Sequence, residues 1–364
     1  MSTAQLTGNR TRVAIVGGGP IGIELAVALT RQGVDHRVFE AGSIGHTISW
    51  WAPQTRWFSS NERIAIAGVP LLTPDQSKAT REQYLTYLRS VVTQFGVRVQ
   101  TQSPVAKIEA AEHGFRLTVQ TGWQPASGQS IRQSICWDAE TVVLAIGGTD
   151  FPKKLNVPGE DLPHVDGYLR ETHHYFGRHV LIIGGRNSAI EAALRLHHAG
   201  ANVSLSYRGA SLPEEGIKYW LLPEIKGLIA AGRIHGLMST AVVEILSDRV
   251  RLRGLEDGSL TEHRADDVLS LIGYQQEKRL FESAGVRLDG PMQRPIYDEA
   301  TMQTNVPGIY VAGTATAGTQ SSKYKTFLEN CHDHIDKIVA ALTGHRSASH
   351  VRAYTEQIAI QPES

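Results

Sequence analysis

The sequence contains little cysteine. Its 364 residues include only two, Cys136 and Cys331, and no CxxC pair. This excludes a disulfide-rich scaffold, a cysteine-ligated zinc site and a redox dithiol. No metal site is predicted, because the side chains of His332, Asp333 and His334 do not converge on one face of a helix. Cys331 lies on or near the start of a predicted final helix, so it is the one candidate redox thiol, with a packing role as the alternative.

The sequence also lacks an excess of charge and long apolar runs. Lys plus Arg number 36, as do Asp plus Glu, so the formal net charge is zero. Proteins that bind nucleic acid or anionic membranes normally have a basic excess, so neither function is predicted. Residues 1–10 are polar, and no apolar run approaches the roughly 18 residues of a membrane span. We therefore expect a soluble, cytoplasmic protein of about two domains.

Two segments of the chain repeat one pattern. Residues 11–40 (TRVAIVGGGPIGIELAVALTRQGVDHRVFE) and residues 179–208 (HVLIIGGRNSAIEAALRLHHAGANVSLSYR) each open with a short, β-branched apolar run. In each, a glycine turn and an amphipathic helix follow, and a second strand closes the segment. This order is typical of a nucleotide-binding unit. The sequence therefore predicts an α/β protein with two Rossmann-like dinucleotide-binding domains.

The first glycine turn, GGGPIG, has the GxGxxG spacing between a strand and a helix. Its first glycine permits a tight turn, its second lets the backbone approach a diphosphate, and its third allows close packing of helix and strand. Glu40 ends the next strand, where a carboxylate can accept hydrogen bonds from ribose hydroxyls. The residues predicted at this cofactor site are Gly17, Gly19, Pro20, Ile21, Gly22 and Glu40.

The second turn, GGRNSA, departs from that spacing. Arg186 replaces the middle glycine, and Tyr207 stands where the first segment has Glu40, with Arg208 next to it. A carboxylate there would repel a 2′-phosphate, whereas an arginine can pair with one, so NADPH is favoured over NADH. The alternative is that Arg208 is a solvated loop residue. The residues predicted at this site are Gly184, Gly185, Arg186, Asn187, Ser188 and Arg208.

The rest of the sequence suggests how the two domains are arranged. Residues 105–109, 115–119 and 131–137 alternate as strands of a small antiparallel sheet do, and residues 141–146 read as a separate buried strand. The turn-rich segment NVPGEDLPHVDGY marks a domain boundary. We predict one domain at residues 1–165 and 281–342, a second domain inserted at 166–280, and a polar tail at 343–364. A final helix of about 20 residues is expected to end near Leu342.

The nested dinucleotide folds resemble the low-molecular-weight thioredoxin-reductase-like flavoproteins over residues 11–342. TVVLAIGG, at residues 141–148, looks like their strand and glycine turn between domains, and TNVPGIYVAGT looks like their second flavin motif. The closest resemblance is to the bacillithiol-disulfide-reductase group, through TRWFSSNERIAIAGVPL, NVPGEDLPHV, GGRNSAIEAAL, IKYWLLPEI and TFLEN. It implies FAD in the first domain and NADPH in the second. It adds to the FAD site Val105, Gly147, Gly313 and Thr314.

The chain departs from these resembling proteins at two positions. Thr314 stands where many of them have an acid, so its hydroxyl would contact the ribityl chain more weakly than a carboxylate does. Ile21 stands where the bacillithiol-linked group typically has a cysteine. If that thiol is needed for their chemistry, this chain reduces a different acceptor or transfers electrons from the flavin directly.

The resemblance implies an oxidoreductase, commonly a homodimer. It would take hydride from NADPH and reduce a low-molecular-weight disulfide, or another small or protein acceptor, without a dithiol of its own. Two alternatives remain open on the sequence. One is an NADPH-dependent flavin monooxygenase or oxidase that uses O2, and the other is a non-catalytic redox or nucleotide sensor.

Overall fold

The computed structural model of the protein describes residues 9–121, 133–319, 321 and 326–345. The chain forms two compact units. Unit 1 takes the chain up to Ser49, from Gln54 to Asp150 and from Gln275 onward, and unit 2 consists of Trp50–Pro53 and Phe151–Tyr274. Most of the predicted tail at 343–364 lies outside the described residues.

The strands are short in most cases, and β1, β5 and β6 are the longest. In chain order they are β1 (Asn9–Val16), β2 (His36–Phe39), β3 (Val99–Gln100), β4 (Val105–Ala111), β5 (Gly114–Thr121), β6 (Gln133–Leu144), β7 (Phe151–Pro152), β8 (Val165–Asp166), β9 (His179–Ile183), β10 (Asn202–Ser206), β11 (His235–Leu237), β12 (Thr240–Ile245), β13 (Arg249–Gly254), β14 (Leu260–Arg264), β15 (Asp267–Ser270), β16 (Tyr274–Gln275), β17 (Leu288–Asp289), β18 (Arg294–Pro295) and β19 (Ile309–Val311).

The α-helices are α1 (Pro20–Arg31), α2 (His46–Ser49), α3 (Asn61–Ile64), α4 (Arg81–Gln94), α5 (Asn187–His198), α6 (Leu222–Ala230), α7 (Arg279–Ser283) and α8 (Asp333–Thr343). Turns of 3-10 helix occur at Thr172–Tyr175, Glu214–Gly216, Gly313–Ala317 and Leu328–Asn330. Within the described ranges, none of the helices has the length and apolar character needed to cross a membrane.

Unit 1 is organised around one large sheet. Its strand order is β3-β2-β1-β6-β5-β4, with β19 also paired to β6. Strands β3, β2, β1, β6 and β19 pair in parallel, and β4 and β5 extend the sheet in antiparallel fashion from β6. Most of β1, β2 and β19 is buried, as expected for strands covered on both faces. The carboxyl ends of the parallel strands carry the glycine turns described below.

Strand β6 differs from the sequence prediction. Residues 131–137 and 141–146 were expected to be separate strands, the first in a small antiparallel sheet with residues 105–109 and 115–119. The antiparallel pairing is present in the described residues, but the separation into two strands and two sheets is wrong. The strand is continuous: Thr121–Phe115 of β5 pair with its first half, and Asn9–Val16 of β1 pair with its second half. No turn separates the two predicted strands, because side chains 137–140 continue to alternate between buried and more exposed positions, as in an extended strand.

Unit 2 contains a second parallel sheet with the strand order β11-β10-β9-β15-β8. The segment β9-α5-β10 repeats the arrangement of β1-α1-β2 in unit 1, which confirms the prediction of two Rossmann-like folds. A three-stranded antiparallel sheet, β12-β13-β14, was not predicted. Its signal was present in β13, where buried Val250 and Leu252 alternate with exposed arginines.

The final helix is shorter than predicted. Helix α8 has 11 residues, Asp333–Thr343, and ends at Gly344 in the left-handed conformation with φ 73°. Before it, the Asn330 side chain accepts the backbone N–H of Phe327 at 2.9 Å and closes a separate 3-10 turn. This local capping interrupts the apolar pattern that suggested about 20 helical residues.

Candidate functional site

The glycine turn of unit 1 is packed too tightly on one side for any side chain. Gly17 has φ 113°, and a Cβ there would collide with the carbonyl oxygen of Ala145. A Cβ on Gly22 would collide with the carbonyl oxygen of Gly17. By contrast, nothing lies within 4 Å of a Cβ placed on Gly19, which immediately precedes Pro20 at the start of α1. The turn therefore leaves open space beside a helix N-terminus, which fits a diphosphate.

Glu40 lies at the end of β2 beside this turn. It is 6% exposed, and its Oε2 and Oε1 accept the backbone N–H groups of Gly18 and Gly42, each at 2.7 Å. Burial raises the pKa of Glu40, and these N–H groups oppose the shift. Each carboxylate oxygen retains a second lone pair. The carboxylate is thus held rigidly and can still accept hydrogen bonds from ribose hydroxyls.

The predicted second flavin motif contacts the first turn. Gly313 has φ 70°, and a Cβ there would lie 3.2 Å from Cβ of Ile21. On its other side, the N–H of Gly313 donates to Nδ1 of His334 at 3.0 Å. The structure therefore brings Ile21 and Gly313 together, and it adds His334 from α8, which sequence reasoning had considered only as a metal ligand.

His334 is neutral in this environment. Burial lowers its pKa to about 4, although the charge of Asp333 acts in the opposite direction. The hydrogen bond from Gly313 requires an unprotonated Nδ1, which agrees with that direction. His334 thus fixes the backbone that carries Thr314, a half-buried residue.

The remaining residues predicted at the FAD site also lie in unit 1. Val105 is buried at the start of β4, two residues after Ser103, whose N–H donates to the carbonyl oxygen of Glu40 at 2.9 Å. Gly147 has φ 82°, with open space where a Cβ would be. Its carbonyl oxygen accepts a hydrogen bond from Gln276, a buried residue that sequence reasoning missed. The positions of Val105 and Gly147 are therefore compatible with a cofactor at the carboxyl ends of the parallel strands of unit 1.

The glycine turn of unit 2 has a different arrangement. Gly184 has φ 143°, and a Cβ there would lie 2.5 Å from the carbonyl oxygen of Leu271. A Cβ on Gly185 would collide with the ring of Tyr207, and a Cβ on Gly209 would meet the other side of that ring at 2.5 Å. An aromatic ring therefore lies against the turn where unit 1 has the carboxylate of Glu40.

Two arginines beside this turn carry uncompensated charge. Arg186 precedes the first residue of α5, and Arg208 follows Tyr207. Both side chains are exposed, and neither guanidinium forms a hydrogen bond or ion pair within the described part of the chain. Asn187 begins α5 and its Oδ1 accepts the N–H of Lys218 at 2.8 Å, and Ser188 next to it is exposed. Free guanidinium groups near a helix N-terminus fit a phosphate-bearing ligand.

Neither cysteine is suited to redox chemistry at the glycine turns. Cys331 is fully buried, its Sγ lies 3.0 Å from the carbonyl oxygen of Phe327, and burial raises its pKa far above the usual range. Of the two roles that the sequence left open for Cys331, burial and the raised pKa favour packing over redox chemistry. Cys136 is exposed near the start of β6, and at about 3.3 Å per residue it lies roughly 25 Å along the strand from Leu144 beside the first turn.

Side chains that could bind a metal ion do not cluster in the described residues. Within residues 9–121, 133–319, 321 and 326–345, no group of three or more His, Cys, Asp or Glu side chains is arranged to hold a metal ion. Of the histidines next to Cys331, His332 pairs with Glu24 and His334 binds Gly313.

Two glycine turns at the carboxyl ends of parallel strands define a dinucleotide-dependent protein, and comparison with known proteins gives the class. Residues 14–313 match the pyridine nucleotide-disulphide oxidoreductase family, and the chain belongs to this family. Bacilliredoxin reductase Bdr of Bacillus subtilis (strain 168) is 34% identical over 331 residues, which cover 91% of this chain and 97% of that protein. A ferredoxin–NADP reductase of Ignicoccus hospitalis is 25% identical over 311 residues, which cover 83% of this chain and 89% of that protein.

A solved structure agrees with these relationships. The bacillithiol disulfide reductase Bdr (YpdA) from Bacillus cereus superimposes with a TM-score of 0.84 at 33% identity, covering 92% of this chain and 99% of that chain. The resemblance inferred from the sequence, the fold class and the prediction of an oxidoreductase enzyme are therefore confirmed. The predicted cofactors, FAD and NADPH, agree with this family and these relatives. Which residues bind each cofactor stays a prediction.

Proposed function

We propose that this protein is an NADPH-dependent FAD enzyme that reduces a low-molecular-weight disulfide, of the bacillithiol disulfide type, or a small redox protein. In this proposal unit 1 holds FAD and unit 2 holds NADPH. The observation that carries it is the difference between the two glycine turns. A buried carboxylate, Glu40, lies beside the first turn, whereas Tyr207 and the free guanidinium of Arg208 follow the second.

In unit 1, each residue has a defined role toward FAD. The open backbone at Gly19 and the N-terminus of α1 would hold the diphosphate, and Glu40 would accept hydrogen bonds from the adenosine ribose. His334 would orient Gly313 and Thr314 toward the ribityl chain. When bound, FAD supplies the redox chemistry, which consists of accepting hydride from NADPH and passing electrons to the acceptor.

In unit 2, the charges would select NADPH. Arg208 would pair with the 2′-phosphate, and Arg186 adds positive charge beside the N-terminus of α5. Tyr207 places no negative charge near that phosphate. These features support a preference for NADPH over NADH.

The acceptor would be reduced without a thiol of this enzyme. Ile21 occupies the position that could carry a cysteine, Cys331 is buried with a raised pKa, and Cys136 lies at the other end of β6. The chain's contribution is therefore to bind, orient and shield the reacting groups. The relatives called bacilliredoxin reductase and bacillithiol disulfide reductase support a disulfide acceptor.

A second candidate acceptor is an iron–sulfur protein of the ferredoxin type. The replacement of a thiol by Ile21 favours it, because such an acceptor requires no covalent intermediate on a cysteine. The similarity to a ferredoxin–NADP reductase supports it as well.

The decisive experiment is anaerobic reduction of the purified flavoprotein with NADPH, followed by addition of one acceptor at a time. We expect NADPH to bleach the flavin band faster than NADH does. Bacillithiol disulfide, a bacilliredoxin mixed disulfide or ferredoxin should then restore the band. Purification without bound flavin, and no flavin uptake on reconstitution, would refute the proposal. Restoration by ferredoxin alone would select the second candidate, and rapid restoration by air alone would indicate an oxidase or monooxygenase.

Two further predictions complete this proposal. We propose a homodimer and a cytoplasmic location, as the resemblance and the composition of the sequence suggest. Sedimentation velocity of the purified flavoprotein tests the first, and fractionation of the source cells tests the second.

A further inference from the structure

Gln276 connects two turns of unit 1 that the proposed function places next to FAD. It follows β16 and is 4% exposed. Its Nε2 donates to the carbonyl oxygen of Gly147 at 2.9 Å and to that of Ala315 at 2.8 Å. Ala315 directly follows Thr314 in the turn Gly313–Ala317.

The carbonyl oxygen of the same amide group makes no corresponding hydrogen bond in the described part of the chain. Oε1 of Gln276 is buried and has no hydrogen-bond partner among the residues that the structure describes. The orientation of the amide is fixed by its neighbours, since both Gly147 and Ala315 present carbonyl oxygens and require the NH₂ group. A buried acceptor without a donor is uncommon in native proteins, because removing it from water is unfavourable.

The surroundings indicate what kind of donor is missing. Open space lies beside Gly147, where nothing comes within 4 Å of the position of a Cβ. A ligand that runs between the two turns would therefore approach Gln276. The flavin half of FAD carries two types of hydrogen-bond donor, the hydroxyls of its ribityl chain and the N3–H of its ring.

We propose that Gln276 is an FAD-binding residue whose Oε1 accepts a hydrogen bond from the flavin half of the cofactor. This inference rests on the proposed function, because it requires FAD in unit 1. Gln276 then has two roles at once: its NH₂ group holds the two turns together, and its oxygen binds the ligand between them.

The neighbouring Gln275 provides a matched control. It is exposed, its backbone carbonyl oxygen accepts the N–H of Asp150, and its side chain forms no hydrogen bond within the described part of the chain. Apoprotein is prepared from the wild type, Gln276→Leu and Gln275→Leu, and FAD is titrated back while its fluorescence is followed. We expect Gln276→Leu to raise the dissociation constant about fivefold to a hundredfold, the effect of losing one partner of a buried hydrogen bond, and Gln275→Leu to leave it unchanged.

FAD analogues separate a direct contact from a purely structural one. The same proteins are titrated with N3-methyl-FAD and with FAD analogues that each lack one ribityl hydroxyl. One of these analogues should bind the wild type more weakly than FAD does, yet bind Gln276→Leu about as well as FAD does. That analogue identifies the donor, since the two losses are then not additive.

The outcomes distinguish this inference from the proposed function. If wild-type apoprotein takes up no FAD, the proposed function fails. If it binds FAD and Gln276→Leu binds FAD as tightly as Gln275→Leu does, the role of Gln276 is refuted and the flavoprotein assignment stands. If Gln276→Leu weakens FAD and every analogue by the same factor, Gln276 only connects the turns and the proposed contact is refuted. Thermal unfolding of the apoproteins reports separately on any loss of folding.

Discussion

His332 and Glu24 form an ion pair in the interior of unit 1, with Nδ1 of His332 2.7 Å from Oε2 of Glu24. On its other side, Nε2 of His332 donates to the carbonyl oxygen of Arg63 at 3.1 Å. Both partners are acceptors, so both ring nitrogens carry protons and the imidazole is charged. Oε1 of Glu24 accepts the N–H of Ala67 at 3.1 Å. The pair thus ties α1, which begins at the first glycine turn, to the chain before α8.

Because of this ion pair, the free energy of unfolding is expected to decrease at alkaline pH. Burial alone would lower the pKa of His332, but the charge and hydrogen bond of Glu24 raise it to about 9. Because His332 binds its proton more tightly in the folded protein than in the unfolded chain, the ion pair contributes its full stabilisation below about pH 6.5. This stabilisation is lost as pH rises toward about 9. The difference corresponds to roughly 3 kcal/mol. Thermal unfolding of the flavoprotein should show a midpoint that falls across this range.

Variants at the ion pair test this interpretation. Glu24→Gln should unfold at a lower temperature than the wild type at pH 7 and lose most of the alkaline dependence, because an uncharged amide no longer holds the imidazolium. The control is Glu109→Gln, which removes the exposed pair of Lys107 and Glu109. We expect that change to alter stability by at most about 1 kcal/mol. Equal alkaline slopes in the wild type and Glu24→Gln would contradict the assignment.

His334 gives the opposite dependence on pH. Its pKa is lowered to about 4 by burial, so the folded protein binds fewer protons here than the unfolded chain does. The free energy of unfolding therefore declines as pH falls from about 6.5 toward about 4. Protonation also removes the acceptor for the N–H of Gly313. We expect bound flavin to be released in this acidic range, which its fluorescence would report.

Two substitutions at His334 identify the atom responsible. Asparagine can place an oxygen near the position of Nδ1 and accept the same N–H without titrating, whereas leucine cannot. His334→Asn should therefore keep flavin at neutral pH and release it over a shallower acid transition. His334→Leu should bind flavin weakly at every pH. If both variants retain flavin equally well at neutral pH, the hydrogen bond to Gly313 has no role in holding the cofactor.

The sequence was sufficient for the parts of the fold that depend on local patterns. The glycine turns at Gly17 and Gly184 were identifiable because a tight turn between strand and helix imposes glycine at fixed positions. The single strand β6 was not, since its two halves pair with different neighbours and no local pattern records this. The length of α8 was not identifiable either, because a separate 3-10 turn, Leu328–Asn330, lies before it.

The candidate site shows the same limit. Glu40 and Arg208 lie at a fixed distance along the chain from a recognisable turn, so sequence spacing was enough to propose them. Gln276 contacts Gly147 and Ala315 from a distant segment, as His334 contacts Gly313, and neither residue has a local signature. The sequence left the role of Cys331 open, because a position near a helix gives no information on burial, which controls the reactivity of a thiol.

The two cysteines should differ sharply in reactivity. A thiol reagent such as 5,5′-dithiobis(2-nitrobenzoate) should titrate one thiol per chain in the native protein, the exposed Cys136, and both in denaturant. Cys331 should stay protected because it is fully buried and its pKa is raised. Rapid modification of both thiols in the native state, with loss of activity, would show that burial does not protect Cys331.

A cysteine-free variant addresses the mechanism directly. Cys136→Ser combined with Cys331→Ser should retain NADPH-dependent turnover, because serine keeps the donor to the carbonyl oxygen of Phe327, Cys331 is fully buried with a raised pKa, and Cys136 lies near the far end of β6. Ile21→Cys, made separately, adds a thiol beside the first turn. Loss of acceptor reduction in the double variant, with flavin content and NADPH-dependent flavin reduction intact, would contradict direct reduction of the acceptor.

Arg208 should determine the choice between NADPH and NADH. Its guanidinium is exposed and pairs with no other described residue, and it follows Tyr207 at the position where a carboxylate would favour NADH. Arg208→Ala should weaken NADPH binding about tenfold to a hundredfold, the effect of losing a charge-assisted hydrogen bond, and should change NADH binding by at most about twofold. Rapid anaerobic reduction of the flavin at several concentrations of each nucleotide gives both dissociation constants.

Arg253→Ala is the control for a general loss of positive charge. Arg253 is also exposed in unit 2, and its guanidinium likewise has no hydrogen bond or ion pair in the described part of the chain, but it lies on β13, away from the glycine turn in the sequence. Its loss should weaken NADPH and NADH equally and only slightly, as expected for a screened surface charge. If Arg208→Ala behaves in the same way, its guanidinium does not contact the 2′-phosphate. Arg186 would then be the residue that favours NADPH over NADH. Arg186→Gly would restore the usual glycine of this turn and test that role.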